Sequence, residues 1–191
     1  MDALGVQAAA LVGCSMGGAI ALDFALTHPA RVSALVLAAS RLGGFDSPTP
    51  EEEAEWEALA APVDEAVRAG DLERAQELRM RIWAPLRTQD EAGRRIRQIA
   101  FDNLHELTMD ESGERELDPP AITRLEDIVA PTLVLPADHD PLYLRRVSTI
   151  LAERIPNARL VQIPDTDHVI NVRRPTEFDA AAQAFLREAL R

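Results

Sequence analysis

Residues 9–18 read Ala-Ala-Leu-Val-Gly-Cys-Ser-Met-Gly-Gly, an apolar run followed by the pattern G-x-S-x-G and then by a segment of helical composition. This pattern predicts a sharp strand–turn–helix corner that holds Ser15 at its tip in a strained backbone conformation. Residues two before and two after the serine nearly touch in such a turn, so we expect Gly13 and Gly17 to meet that steric demand. We interpret Ser15 as a nucleophile and the backbone N–H of Met16 as an oxyanion donor. The alternative is a structural serine in a chance match to a short pattern.

Composition narrows the class of protein. The chain has 191 residues, a formal net charge of −12 and 47% hydrophobic residues, which suits one packed domain with an insertion. The acidic balance argues against nucleic acid or an anionic membrane surface as a partner. Cys14 is the only cysteine, so no intramolecular disulfide can form. No apolar run approaches the roughly 18–20 residues of a membrane span, and we expect a cytoplasmic protein.

Short apolar runs alternate with helical patterns along the chain. This alternation indicates βαβ units, and therefore an α/β fold of about four mostly parallel strands flanked by helices. The predicted strands are 9–13, 34–38, 132–136 and 159–163. The predicted helices outside the central region are 16–28, 143–155 and 175–190.

The central region of the chain has a different pattern. No strand-like run occurs between about Phe45 and Ala121, while Thr49-Pro50-Glu51 is typical of a helix start and Ser112-Gly113 of a break. We interpret 45–121 as a helical cap inserted into a core formed by 1–44 and 122–191. The alternative is a loose helical excursion packed on the core. From this region, pocket-lining roles are proposed for Met80, Trp83 and Phe101, although residues at helical spacing are more often simply core.

A serine nucleophile needs an imidazole base, and the imidazole needs a carboxylate to fix its tautomer. His168 follows the last predicted strand and precedes the final helix, in a loop of the kind where parallel sheets place their chemistry, so it is the best base. Asp140 follows the third predicted strand and is the best acid. Asp138 is its close competitor, with Asp165 and Asp167 less favoured.

Asp138-His139-Asp140 also suggests a metal site. Three adjacent residues rarely converge on one ion, and no cluster of further His or Cys ligands accompanies them. We therefore expect neither a metal nor a cofactor.

The order Ser15, Asp140, His168, together with the strand–elbow–helix start, resembles the α/β-hydrolase superfamily. The resemblance runs nearly end to end and is carried further by residues 30–37, 128–135 and 167–178. It implies a capped, esterase- or lactonase-like serine hydrolase acting on a small ester, lactone or related carbonyl substrate. Ser15 would attack, His168 would serve as base and then acid, and Asp140 would orient His168. Serine at the elbow argues against the family's dehalogenases and epoxide hydrolases, which carry aspartate there.

The sequence departs from the family pattern within its loops. The family usually has glycine where Ala137 and Asp167 stand, and often glutamate where Arg173 stands. These departures bear on loop geometry rather than on the identity of the triad.

A larger departure lies at the start. About four strands precede the elbow strand in the family, and a His-Gly-type loop supplies a second oxyanion donor; neither occurs ahead of Ser15. We expect that Met1 is an internal methionine of a longer hydrolase, or that the chain is a gene fragment. The elbow strand then becomes an apolar edge, open to pairing with another chain.

Two functions follow from these observations. The first is the serine hydrolase, with a small molecule as its only expected partner class beyond a second copy of itself. The second is a truncated, weak or inactive remnant that self-associates or pairs through the exposed strand edge. An intact triad order favours the enzyme, and the missing first half of the sheet favours the remnant.

Overall fold

The computed structural model of the protein describes residues 1–109, 113, 115 and 117–191. Within them, four parallel strands form one sheet in the order β1-β2-β3-β4. The strands are β1 (Ala9–Cys14), β2 (Val32–Ala38), β3 (Thr132–Leu135) and β4 (Ala158–Leu160). The predicted α/β class with a mostly parallel sheet is confirmed.

Helices connect the strands and cover the sheet. They are α1 (Met16–Thr27), α2 (Pro50–Arg68), α3 (Leu72–Trp83), α4 (Glu91–Asp102), α5 (Leu142–Arg154), α6 (Ile170–Arg173) and α7 (Pro175–Ala189). Short 3₁₀ turns lie at Asp2–Leu4, Pro29–Arg31, Leu104–Thr108 and Ala121–Asp127. The three helices predicted outside the central region match α1, α5 and α7 to within one residue at each end.

The last strand is shorter than the predicted 159–163. The N–H of Val161 still donates to the carbonyl of Val134, at 3.0 Å. Because β3 ends at Leu135, the chain beyond this bond has no further strand backbone to pair with. The prediction was wrong at this end because apolar residues continue past the point where the neighbouring strand stops.

The core lies on both faces of the sheet. Along β2, Leu35 and Leu37 belong to the cluster that also contains Leu151 of α5, while Val36 belongs to the cluster that contains Phe185 of α7. Successive side chains of a strand point to opposite faces, so a strand covered on both faces must be apolar throughout. This explains why the central strands read as continuous apolar runs.

The segment between β2 and β3 folds into α2, α3 and α4. Helix α2 begins with a capping box, in which Thr49 Oγ1 accepts from the N–H of Glu52 at 3.2 Å and Glu52 Oε2 accepts from the N–H of Thr49 at 2.7 Å. Val63, Ala75 and Ile82 form a separate small core between α2 and α3. The insertion therefore has apolar packing of its own.

Helix α2 also contacts the sheet domain directly. The N–H of Leu142, at the start of α5, donates to Glu55 Oε2 at 2.7 Å. The division into a core (1–44 and 122–191) and a cap (45–121) stays our proposal. Ser112, part of the predicted break, lies outside the described residues.

The elbow between β1 and α1 is the tightest corner of the fold. Ser15 has φ 53° and ψ −118°, a conformation that side-chain-bearing residues rarely adopt. A Cβ added to Gly13 would lie 2.3 Å from the carbonyl oxygen of Gly17, and one added to Gly18 would lie 2.2 Å from Ser40 Oγ. A Cβ on Gly17 would meet no described atom within 4 Å. The steric demand expected at Gly17 therefore falls on Gly18, because the latter is buried against the end of β2.

Alanine substitutions at the elbow should separate these positions. Gly13→Ala forces the backbones of β1 and α1 apart, and we expect a loss of about 2–4 kcal/mol or failure to fold. Gly17→Ala places a methyl group in open space within the first turn of a helix, where alanine is preferred, and should be neutral or stabilising by up to about 1 kcal/mol. Urea unfolding followed by circular dichroism measures both, and equal losses would contradict this reading of the elbow.

Candidate active site

The backbone around Ser15 is fixed from two sides. Its N–H donates to the carbonyl of Ala38 at the end of β2, at 3.0 Å. Its carbonyl accepts from the N–H groups of Gly18, at 3.0 Å, and Arg41, at 3.1 Å. Strained backbone persists only where the surroundings determine it, and these bonds supply that constraint.

His168 and Asp140 lie together at the carboxyl end of the sheet. His168 Nδ1 is 2.8 Å from Asp140 Oδ1. The side chain of Asp140 is 2% exposed and that of His168 is 12% exposed, so the hydrogen bond is shielded from water. With Nδ1 engaged by the carboxylate, Nε2 is the ring nitrogen left to exchange a proton with another group.

The competing acid, Asp138, has different partners. Its Oδ1 accepts from Gln162 Nε2 and its Oδ2 from the N–H of Asp165, the latter at 2.6 Å. Asp138 thus ties the loop after β3 to the loop after β4. It is Asp140 that contacts His168.

The two less favoured acids form ion pairs. Asp165 binds Arg87 and Arg174, the latter at 2.9 Å, and it is a surface group. Asp167 is fully buried, and its Oδ2 lies 2.7 Å from Arg173 Nη2. Both acids hold loops together, and among the described residues it is Asp140, not either of them, that binds the imidazole of His168.

The insertion also holds the histidine. The N–H of His168 donates to the carbonyl of Trp83 at 3.2 Å, and the two rings are 4.6 Å apart between centroids. The carbonyl of His168 accepts a weak bond from Cys14 Sγ at 3.7 Å. Trp83 was expected to line a pocket, and its backbone bond to the candidate base could not be read from the sequence.

Ser15 and His168 open onto the same cavity, which the insertion covers. Met16, Met80 and Trp83 line it as well. Phe101 is not among the described residues that line this cavity, and its role in a pocket stays a prediction. Its ring lies 4.1 Å from the guanidinium carbon of Arg97 and packs against the cluster that contains Met80 and Ile96.

Two further cavity residues were missed by sequence reasoning. Arg41 follows β2 and Tyr143 follows the loop of Asp140, and both line the cavity. Burial raises the pKa of Tyr143 to about 12 against the opposing influence of Arg41, so the phenol stays neutral and can donate a hydrogen bond. The sequence signal that could have identified them is that both come soon after a strand, because the segments that follow parallel strands meet at one end of the sheet.

Burial also acts on the candidate acid. It raises the pKa of the Asp140 carboxyl, and the hydrogen bond from His168 opposes this shift. The negative charge of nearby Asp167 adds to the rise. Burial and the Asp167 charge therefore disfavour the charged form of Asp140, and the hydrogen bond from His168 favours it.

Comparisons with known proteins identify the family to which this chain belongs. The profile of the alpha/beta hydrolase fold family matches residues 1–175. The chain belongs to this family. It is a hydrolase by class, as its hydrolase-named relatives also indicate.

Three relatives illustrate the range of similarity. A putative carbamate hydrolase, RutD, from Caulobacter sp. (strain K31) is 30% identical, over 97% of this chain and 68% of its own length. The 2-hydroxymuconate semialdehyde hydrolase of Pseudomonas putida is 28% identical, over 99% and 66%. The solved structure of Est816, described as an N-acyl homoserine lactone degrading enzyme, is 27% identical with a TM-score of 0.67, over 96% and 70%. The chain spans about two thirds of the length of each.

Two features are absent from the described residues. No helix there combines the length and apolar character that crossing a membrane requires. Nor does that part of the chain bring together three or more His, Cys, Asp or Glu side chains in a group suited to a metal ion.

The raised pKa of Asp140 predicts a pH-dependent stability. An aspartate in the unfolded chain titrates near about 3.9, so above that pH the native protein keeps a proton that the unfolded chain has lost. The contribution of Asp140 to the free energy of unfolding therefore falls as pH rises from about 4 through the raised native pKa. Asp140→Asn cannot ionise and should gain stability relative to the wild type as pH rises from about 4 through the raised native pKa of Asp140. Urea titrations with Asp179→Asn as an exposed control test this, and parallel curves for Asp140→Asn and wild type would contradict it.

Cys14 should react slowly with thiol reagents. The residue lies at the exposed sheet edge, but burial of its thiol raises the thiol pKa to about 11, and the Asp140 charge adds to the shift. Because the thiolate is the nucleophile, we expect alkylation by iodoacetamide at about pH 8 to be roughly 200-fold slower than in the urea-unfolded chain. Intact mass over time measures both rates, and similar rates in the two states would refute the shift.

Proposed function

We propose that the protein is a serine hydrolase that cleaves a small ester, lactone or related carbonyl compound through Ser15, His168 and Asp140. The observation that carries the proposal is the buried hydrogen bond between His168 and Asp140 beside a cavity that Ser15 also lines. A nucleophile on a strained elbow, a base and an acid that orients the base are the parts that acyl transfer requires.

In the first half of the reaction, Ser15 Oγ attacks the substrate carbonyl carbon while His168 Nε2 takes the hydroxyl proton. The carbonyl oxygen becomes an oxyanion, to which we assign the N–H of Met16 as a donor. Met16 opens α1, and the N–H groups of a helix's first turn have no acceptor within the helix. The protonated imidazole then gives its proton to the leaving group, and the acyl group remains on Ser15.

In the second half of the reaction, a water molecule hydrolyses the acyl group on Ser15. His168 takes a proton from the water as its oxygen attacks the acyl carbon, and the tetrahedral intermediate collapses to release the acid and restore the Ser15 hydroxyl. Throughout both halves, Asp140 keeps the Nδ1 proton of His168 in place and stabilises the imidazolium. This function agrees with the buried position of the carboxylate.

The substrate class rests on the cavity and on the relatives. Apolar side chains such as Met80, Trp83 and Val169 line the cavity beside Ser15, which suits a small substrate with apolar groups. The names of the relatives mention a carbamate, a semialdehyde and a lactone. Their common feature is a carbonyl carbon. Neither a metal nor a cofactor enters the proposed steps, and the expected cytoplasmic location stays a prediction.

Labelling with a fluorophosphonate tests the proposal directly. The purified chain should gain the mass of one adduct, and Ser15→Ala should gain none. His168→Ala should be labelled about 10²–10⁴-fold more slowly because the base is gone. Ser47→Ala, at an exposed serine outside the site, is the matched control and should be labelled at the wild-type rate. A folded wild-type chain without an adduct, or an adduct that persists in Ser15→Ala, would refute the proposal.

A second candidate function rests on the sheet edge. Within the described residues β1 pairs with β2 on one side only, and Val12 and Ile20 beside this edge are 54% and 59% exposed. An apolar strand edge is a template for pairing with another chain, so we propose self-association here. Sedimentation should then show a dimer that Val12→Lys dissociates and that Ser15→Ala leaves intact. A wild-type monomer at all concentrations would rule this out.

A further inference from the structure

Two of the departures from the family pattern meet in space. Asp167 precedes the candidate base and Arg173 ends α6, and both side chains are 0% exposed. Arg173 donates to Asp167 Oδ2 through Nη2 at 2.7 Å and through Nε at 3.1 Å. An aspartate in place of glycine and an arginine in place of glutamate thus form one ion pair that closes the loop carrying His168.

Burying the Asp167–Arg173 ion pair is unfavourable in free energy, so its position beside His168 needs an explanation. Removing two charges from water is unfavourable, and breaking a buried pair from one side leaves an uncompensated charge. A surface pair or an apolar contact would close a loop at less cost. Asp167 Oδ1 is buried without a hydrogen-bond partner among the described residues. The described hydrogen bonds of this carboxylate are all made through Oδ2.

The same pair receives contacts from the insertion. The N–H of Leu86 donates to Asp167 Oδ2 at 3.3 Å, and Asp90 Oδ1 lies 3.5 Å from Arg173 Nη1. Leu86 and Asp90 belong to the connection between α3 and α4. Arg87 of the same connection binds Asp165, and Trp83 at the end of α3 accepts from the N–H of His168, so this part of the insertion contacts the histidine loop at several points.

We propose that the Asp167–Arg173 ion pair, joined by the N–H of Leu86, is a positioning device that sets His168 against Asp140 when the connection between α3 and α4 is seated on the loop. The inference rests on the proposed function, in which His168 is the base. Asp167 and Arg173 act through His168 and are positioning residues, since neither belongs to the described lining of the cavity. Through this pair, the position of His168 depends on the insertion that covers the site.

Arg173 has a second effect within this arrangement. Asp140 and Asp167 are two buried carboxylates close enough to interact, and a lone negative charge at Asp167 disfavours a charged Asp140. The guanidinium of Arg173 compensates that charge. Loss of Arg173 should therefore be more harmful than loss of the charge at Asp167.

The experiment compares Arg173→Met, Asp167→Asn and the double variant. The readouts are the rate of fluorophosphonate labelling of Ser15 and the hydrolysis of p-nitrophenyl acetate, at a temperature where each variant is folded by circular dichroism. We expect Arg173→Met to be labelled about 10²-fold more slowly, as for a misplaced catalytic group, and Asp167→Asn about tenfold more slowly because its amide oxygen can still accept. The double variant should be no slower than Arg173→Met, since the two changes remove one device.

A matched substitution separates positioning from general stability. Arg159→Met breaks the exposed Arg159–Glu188 pair, which joins β4 to α7 away from the site, and should stay within twofold of the wild type. For ester hydrolysis, Arg173→Met should lower kcat with little change in KM, because the cavity walls remain. The downfield proton resonance of His168 Nδ1–H should be lost in Arg173→Met and kept in Arg159→Met.

The outcomes distinguish the two proposals. If the wild type is labelled and Arg173→Met is labelled at the same rate with its downfield proton intact, the positioning device is refuted and the proposed function stands. If the folded wild type is not labelled, the proposed function itself is refuted. Should Arg173→Met fail to fold, Asp167→Asn carries the comparison, because asparagine has nearly the volume of aspartate, and an unchanged rate there overturns the inference.

Discussion

The approach of two backbones at Gly13 is the constraint on which the site depends. A strand can turn into a helix within one residue only if its end comes within contact distance of the first helical turn, and a side chain at Gly13 would fill that space. The corner leaves Ser15 in a strained conformation, stabilised by backbone bonds to Ala38, Gly18 and Arg41. The hydroxyl of Ser15 thereby stands outside regular structure and opens onto the cavity.

The parallel sheet supplies the other half of the arrangement. Because all four strands run in the same direction, the residues that follow β1, β3 and β4 lie at the carboxyl end of the sheet. Ser15, Asp140 and His168 come from these three positions, although Ser15 and His168 are far apart in sequence. Asp138 sits among them and ties the loops after β3 and β4 together. The candidate catalytic residues and the Asp138 bonds that hold their loops thus lie at the same end of the sheet.

Two buried carboxylates lie at this end of the sheet, each beside a group that binds it. The chain has a net charge of −12, and two of its carboxylates, on Asp140 and Asp167, are buried close to one another. One is bound by the imidazole of His168 and the other by the guanidinium of Arg173. Each of these two carboxylates has its own partner, His168 in the loop that follows β4 and Arg173 at the end of α6. The loop after β4 carries the candidate base and contacts both the sheet and the insertion.

The sequence by itself determined the architecture and the candidate residues. Apolar runs at strand length, helical periodicity and the elbow pattern are local signals, so the sheet class and the positions of Ser15, Asp140 and His168 could be predicted. The end of β4 could not be, because a strand stops where its neighbour stops. The steric role of Gly18, the packing of Phe101 against Arg97 and the pairing of Asp167 with Arg173 were decided only by the tertiary structure. Each depends on which atoms the fold brings into contact from distant parts of the chain, and no local pattern records such contacts.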